Sequence, residues 1–206
     1  MYYSGDASIA CCFCNEERYE GILPRKTTYQ LSIGRQLADF LANSANVSKT
    51  VEYKKTLIED FLSVKEPIYK NVFNRSIFGG VRGMKELSLA LHINGFNPFK
   101  RGGISMIIIM ATIVDLPPTE RYKQENIFIF SIIPGPKKPK NLFSSLYPVL
   151  QDFFVLESQG LQMNFEDGLT SLYKASLAFV VGDTLEFLSC ACILDTLHTT
   201  AAECCK

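Results

Sequence analysis

The sequence predicts an α/β fold in which a mixed sheet is built in the order β-β-β-α-β-α, preceded by a helical region and a short cysteine-containing N-terminal segment. Three observations carry this expectation. The front half spaces its apolar residues helically, residues 87–133 switch to short apolar or alternating runs separated by turn-forming residues, and a helix-strand-helix succession follows. With 206 residues, 47% of them hydrophobic and 20% charged, the chain is long enough to bury a substantial core.

Residues 1–26 hold Cys11, Cys12 and Cys14 and then Pro24-Arg25-Lys26, a small irregular unit. Residues 27–80 form the helical region. Ile33, Leu37, Phe40 and Leu41 predict one amphipathic helix ended by Asn43-Ser44, and Val51, Leu57, Ile58, Phe61 and Leu62 predict a second that stops at Glu66-Pro67. Residues 81–206 hold the sheet. Leu87–Ile93 is a strand ending at Asn94-Gly95, Ser105–Val114 a second ending before Pro117-Pro118, and Ile127–Ile133 a third that stops at Pro134-Gly135-Pro136. Leu142, Leu146, Leu150, Phe153 and Phe154 mark a helix, with Pro148 near its start or kinking it. Ala175–Val181 is the fourth strand, ending at Gly182-Asp183, and a helical stretch from Thr184 to about Leu197 follows. Phe128, Phe130, Phe153 and Phe154 follow these periods and are expected in the core.

Three strands joined by short turn-rich links form an antiparallel meander, and a helix crossing one face brings the next strand in parallel to the first. Strands one and four then end at the same edge, so Asn94 and Asp183 become spatial neighbours. Lys+Arg and Asp+Glu are both 21, so contact with nucleic acid has to come from local basic segments and not from a global field. The apolar runs Ile104–Val114 and Leu177–Leu194 predict no membrane helix. The start MYYSGDASIACCFC has no secretory pattern, so an intracellular protein is expected. Seven cysteines in a reducing compartment point to metal ligands or buried thiols and away from a disulfide framework.

The string LHINGFNPFKRGGISMIIIMATIVDLPPTERYKQENIFIFSIIPGPKKPK over residues 91–140, followed by LYPVLQDF and FVVGD, resembles the core of the transposases of CACTA-type (En/Spm-like) DNA transposons. That family carries an Asp-Gly-Phe-x-Pro-Phe element, an Asn-Leu-Pro-Pro-x-x-Arg-Tyr element, an Ile-Pro-Gly-Pro element, and a Gly-Asp followed by His and Cys-x-x-Cys. The front end, Cys11-Cys12-Phe13-Cys14 with Arg18-Tyr19, is similar to the family's Cys-Pro-x-Cys followed by Arg-Tyr. The resemblance implies an RNase H-like fold of the DDE nucleotidyl transferases, DNA as partner, a nuclear location, and magnesium held by three acids for in-line attack on a phosphodiester. It also implies self-association or association with a full-length transposase.

The departures matter as much as the matches. The family's first acid falls on Asn94, a neutral amide, its second on Asp183, and no later helix supplies the third; the sequence has the character of a truncated, mutated copy. The resemblance therefore implies a transposase-derived protein without strand-cleavage activity, Asp183 being its catalytic remnant and Asn94 its substituted first acid. The alternative is a non-catalytic module that binds DNA or another transposase copy.

Each remaining candidate has a plainer counterpart. Cys11 and Cys14 supply half of a tetrahedral zinc site, and His198, Cys204 and Cys205 part of another; buried or idle thiols are the competing reading. Lys137, Lys138 and Lys140 on a proline-rich loop, with Lys100 and Arg101 beside a glycine pair, are candidate phosphate contacts or ordinary exposed surface. Asp183 could also cap the helix that follows it. His92, inside the first strand, is assigned no role.

Overall fold

The structure, a computed structural model, describes residues 9–10, 15, 17–25, 28–63, 83–98, 106–135, 142–165 and 168–182. In chain order these form β1 (Tyr19–Glu20), β2 (Leu23–Pro24), β3 (Tyr29–Gln30), α1 (Ile33–Ala42), α2 (Ser44–Ser63), β4 (Glu86–Phe96), β5 (Met106–Ile113), α3 (Pro118–Arg121), a 3-10 turn (Gln124–Asn126), β6 (Ile127–Pro134), α4 (Phe143–Ser158), β7 (Leu161–Asn164) and β8 (Thr170–Gly182). The protein is mixed α/β. β1 and β2 form a small hairpin, and six strands form a mixed sheet in the order β3-β6-β5-β4-β8-β7.

The centre of that sheet follows the expected logic. β4, β5 and β6 are an antiparallel meander, and β8 returns beside β4 in parallel after α4. Leu87 to Leu91 are buried without alternation, as befits a central strand covered on both faces. One face carries the main core: Leu87, Leu89, Leu91 and Ile93 of β4 pack with Phe128 and Phe130 of β6, with Leu37 and Phe40 of α1, and with Leu146 and Phe153 of α4. α2 lies on the other face, where Leu57 meets Ala90 and Val114.

The helix breaks have local causes. Ser32 accepts a hydrogen bond from the Arg35 amide and starts α1. Asn43 ends it, and its side chain accepts from the Ala45 amide in the first turn of α2, so one residue closes one helix and opens the next.

Several expectations change in detail. β4 does not stop at Asn94-Gly95: Asn94, Gly95 and Phe96 stay paired with Ile108, Ile107 and Met106, because the facing apolar run supplies a ladder that outweighs the turn preference of Asn-Gly. β8 starts five residues early, at Thr170, because β7 pairs with Thr170 to Tyr173. Phe154 is not a core residue. It is 53% exposed while Phe153 is buried, since adjacent helical positions point about 100° apart.

At the end of α4, Gly160 has φ +79 and a Cβ there would lie 2.8 Å from the Tyr173 carbonyl oxygen. The turn into β7 therefore requires glycine for both its dihedral and its clearance.

Candidate functional site

The pairing of β4 with β8 runs in parallel from Glu86↔Lys174 to Ile93↔Gly182. Asn94 is thus the residue that follows the last paired position of one strand, and 183 follows the last paired position of the other. The register shifts between Leu89 and Ala90, a bulge that places Val181 opposite His92. Asp183 itself lies outside the described residues, as do Lys100, Arg101, Lys137, Lys138, Lys140, Cys11, Cys14, His198, Cys204, Cys205 and the helix expected after Thr184. An antiparallel bridge joins Ala10 to Glu17 on either side of the cysteine positions, and Asn15 between them has φ 55.

Asn94 is half-buried and belongs to the face of β4 opposite the main core, the face shared by Ala90 and His92. His92 Nε2 lies 3.1 Å from the hydroxyl of the buried Thr112. The ring of Tyr122 stands edge-on to the imidazole with centroids 6.3 Å apart. Burial pushes the His92 pKa below its ordinary value, because desolvation disfavours the cation.

Further up the same face lies a buried charged pair. Lys54 of α2 and Asp115, just past β5, are both fully buried, with Lys54 Nζ 3.7 Å from Asp115 Oδ1. Asp115 Oδ2 accepts from the Ser88 amide at 2.5 Å. The Lys54 ammonium donates to the Gly83 carbonyl at 3.0 Å and to the Glu86 carbonyl. Burial raises the Asp115 pKa, and the Lys54 charge and the Ser88 hydrogen bonds oppose that rise without cancelling it.

Arg121 finishes the corner. Its Nη2 donates to the carbonyls of Val114 at 2.6 Å and Leu116 at 3.0 Å, so the Arg of the Asp-Leu-Pro-Pro-x-x-Arg-Tyr element folds back onto the strand end that the two prolines terminate. Asn126 Nδ2 donates to the Glu120 carbonyl in the same corner. That element is therefore occupied with fixing backbone carbonyls, and Asp115 with fixing β4.

Sequence reasoning did not single out Lys54. A signal was present: Thr50, Lys54 and Leu57 fall at i, i+4 and i+7 of α2, and all three are buried, so the lysine sits inside the inward stripe.

Chemically, the described residues do not assemble a two-metal site. Asn94 is a neutral amide, and among the described residues no group of three His, Cys, Asp or Glu side chains gathers to hold an ion. Among the same residues, no helix is long and apolar enough to cross a membrane. Comparisons with protein-family models, with curated proteins and with solved structures returned no match.

Proposed function

We propose that this chain is a transposase-derived protein of the DDE nucleotidyl-transferase type in which the cleavage centre has lost its first acid. The observation that supports this most is the parallel β4/β8 pair. Its last partners, Ile93 and Gly182, immediately precede the two positions where such an enzyme would need carboxylates. Two metal ions about 4 Å apart require anionic oxygens between them, and an amide at 94 removes a full charge from a site held together electrostatically. DNA is the proposed partner, contacted through the lysines of residues 137–140 and through Lys100 and Arg101. Zinc at the cysteine pairs is part of the same reading.

The test is incubation of the purified chain with supercoiled plasmid and magnesium or manganese, beside the Asn94→Asp variant. The wild-type chain leaves the plasmid intact. Metal-dependent nicking by wild type that disappears in Asp183→Ala would overturn the inactive assignment. Binding to duplex DNA that weakens steeply with salt is expected, and no binding even at low salt would remove DNA as a partner.

A further inference from the structure

The turn that leads into β4 sends its carbonyl oxygens to two different partners. The Glu86 amide donates to the Gly83 carbonyl at 2.9 Å and closes the turn, and the Lys85 carbonyl accepts from the Lys174 amide of β8 at 2.9 Å. The Gly83 and Glu86 carbonyls both accept from the Lys54 ammonium, the first at 3.0 Å. Asp115 Oδ1, just past β5, stands 3.7 Å from the same nitrogen. Three oxygens therefore converge on one cation. Thr50, Lys54 and Leu57 share the buried stripe of α2, so the apolar stem of the lysine runs through the interface and its head reaches the oxygens. Both charged side chains are fully buried.

Two backbone carbonyls and a carboxylate are the donors that hard cations take. Each of the three is also placed by the frame and not by the lysine alone. The turn is closed by its own hydrogen bond and tied to β8. Asp115 Oδ2 accepts from the Ser88 amide, and the carbonyls on either side of Asp115, of Val114 and Leu116, are held by Arg121. One carboxylate among the three oxygens balances one positive charge, which suits a monovalent ion better than a divalent one.

We infer that this cluster is an interior binding site for an ammonium-sized monovalent cation, filled in the native chain by the ammonium of Lys54. The lysine is a tethered ion. Its attachment makes occupancy independent of the medium, and it joins α2 and the end of β5 to the place where the parallel β4/β8 pairing begins, Glu86 opposite Lys174. Truncating the side chain at Cβ leaves the oxygens with room for a free ammonium ion, which can donate to the same acceptors. The inference is independent of the nucleic-acid reading, since it uses only the packing of α2 on β4 and β5.

Lys54→Ala is the test. Its melting temperature in ammonium chloride should exceed that in tetramethylammonium chloride at equal ionic strength by about 3 °C or more, because an ion that binds only the folded chain stabilises it. Tetramethylammonium is bulkier and has no N–H to donate. The wild type, its site already full, should show no such difference. Lys54→Ala/Asp115→Asn, without the carboxylate, and Lys54→Met, which fills the space with an uncharged stem, should lose the ammonium response. A second readout uses the wild-type chain. In NMR spectra of its nitrogen-labelled lysines, one ammonium signal, absent from Lys54→Met, should exchange its protons at least about tenfold more slowly than solvated lysines do. Lys54→Ala equally stable in both salts, or equally unable to fold in both, would overturn the inference. So would an ammonium response that persists without the Asp115 carboxylate, or a Lys54 ammonium exchanging as fast as the others.

Discussion

Asp115→Asn is the most informative single substitution in the fold, because it keeps shape and removes one charge. The asparagine oxygen can still accept from the Ser88 amide, which the carboxylate holds at 2.5 Å. What changes is Lys54, fully buried 3.7 Å from Asp115 Oδ1, which loses the charge of that carboxylate. Removing one partner of a buried pair costs about 3–5 kcal/mol, or roughly 6–20 °C in melting temperature for a chain of this size. The intact pair is worth far less than that figure, because desolvation of both ions offsets most of their attraction. The direction of the Asp115 pKa says the same thing: it is raised, so burial outweighs the help of Lys54. Lys54→Met/Asp115→Asn should therefore recover at least half of the loss, short of full recovery because the Gly83 and Glu86 carbonyls lose a donor. Urea denaturation of the four proteins of this double-mutant cycle measures both effects, with the midpoint shift read at constant slope. If Asp115→Asn lies within about 0.5 kcal/mol of wild type, the charge of Asp115 does not support the buried lysine and the reasoning fails.

Arg121→Lys should cost about 2–3 kcal/mol in the same assay, since a single ammonium cannot reproduce the guanidinium's hold on two carbonyls, Val114 and Leu116. For His92, burial lowers the folded-state pKa, so the unfolded chain takes up its proton first as the pH falls. Stability should decline as the pH drops below about 6.5 towards the depressed value, and His92→Gln should flatten that part of the stability-pH curve; an unchanged slope would contradict the desolvation argument. Gly160→Ala should destabilise by about 1–3 kcal/mol, from the strained dihedral together with the close approach to the Tyr173 carbonyl, and a thermal melt equal to wild type would refute that.

What the sequence made legible was periodicity. α1 ends where Asn43 interrupts the stripe, and the meander of β4, β5 and β6 followed from three apolar runs bounded by glycine and proline. The parallel return of β8 followed from the helix between, and with it the adjacency of the two strand ends. What was not legible lies below the resolution of any pattern. β3 is two residues long and β7 four; each exists because a neighbouring strand offers unpaired backbone, β6 in one case and β8 in the other, and no propensity in Tyr29-Gln30 announces it. Asn94-Gly95 has the local chemistry of a turn and is overruled by pairing with Ile107 and Ile108.

The same contrast separates the two halves of the candidate site. Register alone decides that positions 94 and 183 follow paired residues, and register is set by hydrophobic alternation that any sequence displays openly. The buried Lys54–Asp115 pair depends instead on where α2 crosses the sheet, and the only sign of it in the sequence is that Lys54 shares a helical stripe with Thr50 and Leu57. Its partner, Asp115, opens the Asp-Leu-Pro-Pro element, at the position where the transposases that the sequence resembles carry asparagine. The structure gives all three a common purpose: Pro117 and Pro118 stop β5, Arg121 closes on the carbonyls left open, and Asp115 reaches across to the Ser88 amide of β4. A short sequence element can therefore hold the ends of two neighbouring strands together through its own side chains, Asp115 on β4 and Arg121 on the carbonyls that follow β5.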